Sequence, residues 1–180
     1  PIYPINTEMG LRSGYTIMQN LHQRLGETHH WDTKNEKGEF LWQEGWRPWA
    51  QYIYSTGDTN FSSRYDYHFN VSGFQAGIER MLRSDDLKKR RLYGVFMGQL
   101  DGDSGLHSDD DVRGGQRNTY GGLYWTWQQT EENRHSTYWD VVLTAGKMDY
   151  TVNYESLHDK YDGKSFSASI EWGRAFRMNE

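Results

Sequence analysis

The chain has 180 residues, a formal net charge of -5 and no cysteine. Its pI near 5.8 disfavours a nucleic-acid binder, which needs a basic patch. The missing thiols exclude disulfide scaffolds and thiolate chemistry.

Only 35% of residues are AVILMFWYC, and 8 Trp, 13 Tyr and 7 Phe supply much of that share. Few aliphatic side chains remain for an ordinary core. A mean hydropathy of -0.98 would suit disorder, but disordered segments are poor in aromatics. Many aromatics, 19 Gly and only 3 Pro make the balance of a transmembrane β-barrel. Such a barrel is apolar on its outer face alone and carries aromatic girdles at both interfaces. No apolar run reaches the length of a transmembrane helix. The opening "PIYPINTEMG" has no basic n-region followed by an apolar h-region. An exported protein with this start is expected to be a piece of a longer precursor.

The first element is a helix over residues 4–26. Pro4 suits its first turn, and Asn6 or Thr7 can cap it with Glu8 following. Ile5, Met9, Leu11, Ile17, Met18, Leu21 and Leu25 recur at roughly helical spacing. Gly26 is a natural stop. Gly10 and Gly14 each cost about 1 kcal/mol relative to Ala but allow a close approach to a wall. Residues 27–45 are polar and irregular and read as a linker turn.

From residue 46 the period becomes two, the signature of strands with unlike faces. Six strands are expected. The first, about Trp46–Ser55, places Trp46, Pro48, Ala50, Tyr52 and Tyr54 on one face. The second, about Tyr65–Arg80, changes phase near Gly73, which suggests a bulge or bend, and continues with Phe74, Ala76 and Ile78. The third, about Arg91–Leu100, sets Tyr93, Val95 and Met97 against Gly94, Gly98 and Gln99. The fourth, about Tyr120–Gln129, sets Gly121, Leu123, Trp125 and Trp127 against Tyr124, Thr126 and Gln128. The fifth, about Thr137–Met148, sets Trp139, Val141, Leu143 and Ala145 against Asp140, Thr144 and Gly146. The sixth sets Phe166, Ala168, Ile170 and Trp172 against Ser165, Ser167, Ser169, Glu171 and Gly173.

The connections alternate. Leu82–Arg91 and Gln128–Thr137 read as short charged turns. Thr56–Arg64, Asp101–Asn118 and Asp149–Lys164 read as longer loops. An up-and-down barrel alternates in this way. The bulky aromatic faces are expected to meet lipid: Trp125, Trp127, Trp139, Leu143, Phe166, Ile170 and Trp172. The small polar faces are expected to line the pore: Asp140, Thr144, Ser167, Ser169 and Glu171.

Several motifs are similar to those of one family. "PIYPINTEMGLRSGYTIMQNLHQRLGE" resembles the segment leading into the translocator domain of pertactin-like bacterial autotransporters, with its Leu-His-x-Arg-x-Gly-like close at Leu21–Gly26. "RPWAQYIYSTGD", "YDYHFNVSGFQAGIER", "NTYGGLYWTW" and "YDGKSFSASIEWGRAF" are similar to successive strands of that domain. The matches run in order along nearly the whole chain.

The resemblance implies an all-β, antiparallel up-and-down barrel in the bacterial outer membrane, threaded by a helix that leads to a secreted passenger. Arg12, Ile17, Asn20, His22 and Arg24 are then pore-helix positions. The implied partners are the passenger, outer-membrane lipid, the barrel-assembly machinery and periplasmic chaperones, with no nucleic acid. A family barrel has about twelve strands. The motif order places this chain in the first half, so further strands or a second copy must cover its edges.

No chemistry stands out beside this. Asp101, Asp103 and Asp109–Asp111 lack the spacing of a calcium loop and read as a solvated acidic loop. His29 and His30 are adjacent, whereas a metal pair on a helix needs i, i+4 spacing. Self-cleavage in this family relies on an Asn-Asn linker, and Asn20 has no neighbouring Asn, so no catalytic residue is carried over. The serines show no His partner in the sequence. Asp140 and Glu171 are expected to meet Arg12, His22 and Arg24 of the helix, or pore water. No cofactor or metal is expected, and transport rather than catalysis is the reading. The alternatives are a soluble aromatic-rich β-barrel or sandwich that binds a ligand, and an outer-membrane protease or lipase.

Overall fold

The structure is a computed structural model that describes residues 2–28, 37, 44–62, 65–84, 88–107, 112–130, 135–154 and 157–176. A helix, α1 (Ile2–Thr28), is followed by β1 (Gly45–Ser62), β2 (Tyr65–Arg83), β3 (Lys89–His107), β4 (Val112–Thr130), β5 (His135–Tyr154) and β6 (Leu157–Phe176). The strands form one antiparallel sheet in the order β1-β2-β3-β4-β5-β6. The sheet does not close, and α1 lies across its inner face against β3, β4, β5 and β6.

Strict alternation sets the two faces. On β3, Arg90, Leu92, Phe96 and Leu100 are buried beneath the helix side, while Tyr93, Val95 and Met97 are exposed on the other. The inner face is not uniformly polar. Ile17, Leu21 and Leu25 of α1, spaced one turn apart, pack into a cluster with Ile53, Phe69, Val71, Met81, Leu92, Phe96, Leu100, Tyr120, Tyr124 and Val142. Each such buried aliphatic side chain contributes roughly 1.5–3 kcal/mol relative to exposure.

This apolar patch explains two departures from the sequence reading. The phase change near Gly73 is not a bulge, since β2 pairs with β3 without interruption from Asp66 to Arg83. The side-chain chemistry changes face instead. Phe69 and Val71 point inward to the helix, and Phe74, Ala76 and Ile78 point outward. The register shift between β1 and β2 lies at Asn60/Ser62. Gln99, read as facing the same way as Gly94 and Gly98, is exposed on the outer face.

The expected long loops are largely strand. β1 reaches Ser62, β3 reaches His107, and β5 and β6 cover most of 149–164. Asp, Gly and Ser there were read as loop signals. They sit instead in strands of 18 to 20 residues, roughly twice the 9–11 that cross a bilayer. Polar residues in the projecting halves meet water on their outer side. Asp101 and Asp103 are exposed strand positions, and Asp109–Asp111 lie outside the described residues.

The helix also runs past Gly26 to Thr28. Gly10 does permit a close approach, because a Cβ there would sit 2.6 Å from Tyr150 Oη, whereas at Gly14 the nearest atom is Ser167 Oγ at 3.8 Å.

A candidate lumen site where the helix meets the wall

The helix is fastened at three heights. Near its N-terminal end, Met9 is fully buried, close to the glycine backbone of Gly102. Arg12 pairs with Glu8 one turn earlier at 2.8 Å and lies over the Phe69 ring, 4.4 Å from its centroid. One turn on, Gln116 of β4 donates from Nε2 to Ser13 Oγ at 3.0 Å, both buried. Asn20 turns back on its own helix, donating to the Thr16 carbonyl at 2.9 Å. Ile17 is in the buried cluster.

At the C-terminal end, Arg24 reaches Glu79 of β2, Nη2 to Oε1 at 2.8 Å. The same carboxylate accepts hydrogen bonds from Arg47 of β1 and, at 2.5 Å, from Tyr124 Oη of β4. The Arg24 guanidinium lies 4.2 Å from the Trp49 ring centroid, and Trp49 Nε1 donates to Tyr124 Oη at 2.9 Å. A buried carboxylate is tolerable because two guanidiniums and a phenol satisfy it.

Of the expected helix partners for the wall's carboxylates, His22 does reach Glu171, whereas Arg12 pairs with Glu8 on its own helix. Arg24 goes to Glu79, which the sequence reading missed. Its signal was available: Glu79 is an acidic residue at an inward position between outward Ile78 and Arg80.

Asp140 and Glu171 are register partners on β5 and β6. It is His22 that meets them. His22 Nδ1 lies 3.1 Å from Glu171 Oε2, and the three groups have ligand atoms within 4.8 Å of one another. His22 Nε2 is 2.9 Å from Ser169 Oγ, and Tyr138 Oη donates to Glu171 Oε1 at 2.8 Å. So one serine does have a histidine partner, supplied from the helix and out of reach of sequence spacing. The order Ser169–His22–Glu171 has the connectivity of a hydrolase relay. Ser169 sits within a regular strand, not on the sharp turn that presents a nucleophile beside oxyanion donors. Thr144 is buried, and its register partner Ser167 lies beneath Gly14.

On the outer face, Arg91, Trp127, Trp139 and Trp172 fall in one row across β3 to β6. Trp125, Leu143, Phe166 and Ile170 lie on the same face above it. The row Lys147–Lys164 closes this apolar zone. Trp139 to Lys147 is about 26 Å of strand at ~3.3 Å per residue, on the scale of the ~25 Å apolar band of outer-membrane barrels. His29 and His30 lie outside the described residues.

No curated protein matches this chain. Residues 48–180 match the family model described as Autotransporter beta-domain. The match covers all six strands except the first residues of β1, and the chain accordingly belongs to the autotransporter β-domain family, the outer-membrane translocators through which a passenger is exported.

Proposed function

We propose that α1 is the segment that remains in the translocator lumen and connects the wall to the passenger. Arg12, Ile17, Asn20, His22 and Arg24 are its lumenal side chains, and Asp140, Thr144, Ser167, Ser169 and Glu171 form the pore wall they face. Trp125, Trp127, Trp139, Leu143, Phe166, Ile170 and Trp172 contact lipid. The observation that carries this reading is the clasp of Arg24 on Glu79, which ties the helix to the wall beside the start of β1. From there the helix runs back along the sheet, so its N-terminal end lies at the end where β1 and β2, and β3 and β4, turn. A passenger preceding it leaves by that end.

Residues 2–28 act as this tether and residues 45–176 as wall, joined by the polar stretch between. The two open edges of the sheet are completed by further barrel strands, because lipid does not tolerate unpaired backbone groups. Long strands of modest hydropathy must be kept from pairing prematurely. Periplasmic chaperones and the barrel-assembly machinery are the partners that chemistry calls for. The work is transport, with the lumenal hydrogen bonds serving as fastenings.

A disulfide tests the tether. Residues 1–180 contain no cysteine, so Ser13→Cys with Gln116→Cys introduces the only thiols of this stretch. Oxidation of whole cells displaying the full-length protein is expected to cross-link the pair in most chains. Absence of the cross-link in protein that migrates as a folded barrel would remove α1 from the lumen.

A further inference from the structure

We propose that His22, Asp140 and Glu171 form a zinc site that latches the lumenal helix to the barrel wall. The three groups come from three elements, α1, β5 and β6, and converge within 4.8 Å. An imidazole with two carboxylates is a ligand set that zinc accepts, leaving a fourth position for water.

The hydrogen-bond pattern favours a metal over a bridging proton. His22 Nδ1 makes no hydrogen bond although Glu171 Oε2 is only 3.1 Å away. Two atoms at that distance that do not point at each other can converge on a third point. With zinc–ligand distances of about 2.0–2.1 Å, a 3.1 Å separation subtends about 100° at the metal, close to tetrahedral. The other ring nitrogen is already engaged: His22 Nε2 is 2.9 Å from Ser169 Oγ. With the proton on Nε2, the Nδ1 lone pair is free to ligate. Tyr138 in turn holds the far oxygen of Glu171. Both are the outer-shell supports that orient metal ligands.

Charge points the same way. Asp140 and Glu171 are directly opposed across two strands, an arrangement that repels when both are ionised. Within this trio, one imidazolium offsets half of that charge and one divalent cation offsets all of it. Asp140 completes the set by a carboxyl rotation or through the zinc-bound water. The latch can form only when α1 is in place, so it would hold the helix once export has ended. It rests on α1 occupying the lumen.

The test uses full-length protein extracted from outer membranes in mild detergent and stripped with EDTA. Titration with Zn²⁺ alone, followed calorimetrically, is expected to show one site per chain that millimolar Mg²⁺ does not compete for. His22→Gln and Glu171→Gln are each expected to weaken it more than about tenfold, and Ser169→Ala about tenfold. Co²⁺ in the parent protein is expected to give visible bands of four- or five-coordination. No saturable zinc binding, or binding undiminished in both ligand variants, overturns the proposal. If those variants do not migrate as folded barrels, the cobalt spectrum of the parent decides, and six-coordinate bands alone overturn it. The Ser13–Gln116 cross-link is run in parallel. Its presence without zinc binding sinks the latch and spares the lumenal helix; its loss sinks both.

Discussion

Gly94 and Tyr124 are register partners on β3 and β4, and the tyrosine ring lies flat on the glycine: a Cβ at residue 94 would come within 2.0 Å of the ring. The ring cannot simply swing aside. Its hydroxyl donates to Glu79 and accepts from Trp49, and its face packs near Phe96, centroids 6.0 Å apart. Gly94→Ala is therefore expected to destabilise the barrel by about 1–3 kcal/mol, the usual cost of overpacking. Gly121, whose added Cβ would meet its nearest atom only at 3.4 Å, serves as the control, and Gly121→Ala is expected to cost less. Urea unfolding in lipid vesicles measures both. Equal midpoints for the two variants would show that Tyr124 is not held where it lies.

The carboxylate beneath that tyrosine supports the second prediction. Glu79 is almost wholly buried and receives Arg24, Arg47 and Tyr124. Removing one partner of a buried ion pair costs about 3–5 kcal/mol because the other charge is left behind. Glu79→Ala is expected to lose stability on that scale. Arg24→Met with Glu79→Met is expected to lose less than the sum of the single changes, since the pair is coupled. Additive single and double variants, measured by the same unfolding assay, would mean the clasp carries no coupling.

The fold was largely legible because period-two patterning survives in every strand, and the outer face in particular reads cleanly from Trp139 to Ala145 and from Phe166 to Trp172. The inner face was less legible for a physical reason. It meets a helix whose own apolar stripe demands Phe69, Val71 and Leu92 from the wall, so the polar-in rule fails where Ile17, Leu21 and Leu25 pack. The phase change at Gly73 was visible but had two causes, and only the strand pairing separates them. His22 was expected to meet a carboxylate of the wall, but its serine partner was illegible for another reason. His22 to Ser169 spans 147 residues, a separation that no motif encodes. Asp101, Asp103 and Asp149 were mistaken for loop because a strand that outruns the membrane needs no apolar face.

The outer face gives a test of depth. Leu143 lies in the row Ile78–Val95–Leu123–Leu143–Ala168, midway between the tryptophan row and the lysine row. Leu143→Arg is expected to cost about 2–4 kcal/mol, as charges at the bilayer midplane of such barrels do. Lys147→Leu, four residues along the same strand, is expected to leave the unfolding midpoint close to that of the parent. Folding into vesicles of fixed thickness reads the difference. A neutral Leu143→Arg would place this face against protein or water and revive the soluble reading.

Above the lysine row the strands carry charges in water, and these are expected to matter little. Arg117 Nε lies 2.7 Å from Asp101 Oδ1, with both side chains more than half exposed, and Asp149 is the register partner of Arg117 on its other side. Exposed pairs of this kind contribute little and are screened by salt. Arg117→Ala is expected to shift the unfolding midpoint slightly at low ionic strength and not at all in about 1 M salt. The contrast with Glu79 is the point of the measurement. Both sites join an arginine to a carboxylate across strands, but only the lumenal one is sealed from water by a helix and two aromatic rings. A salt-insensitive loss at Arg117 as large as that at Glu79 would mean the projecting part of the sheet is covered too, by strands or loops packed against its outer side.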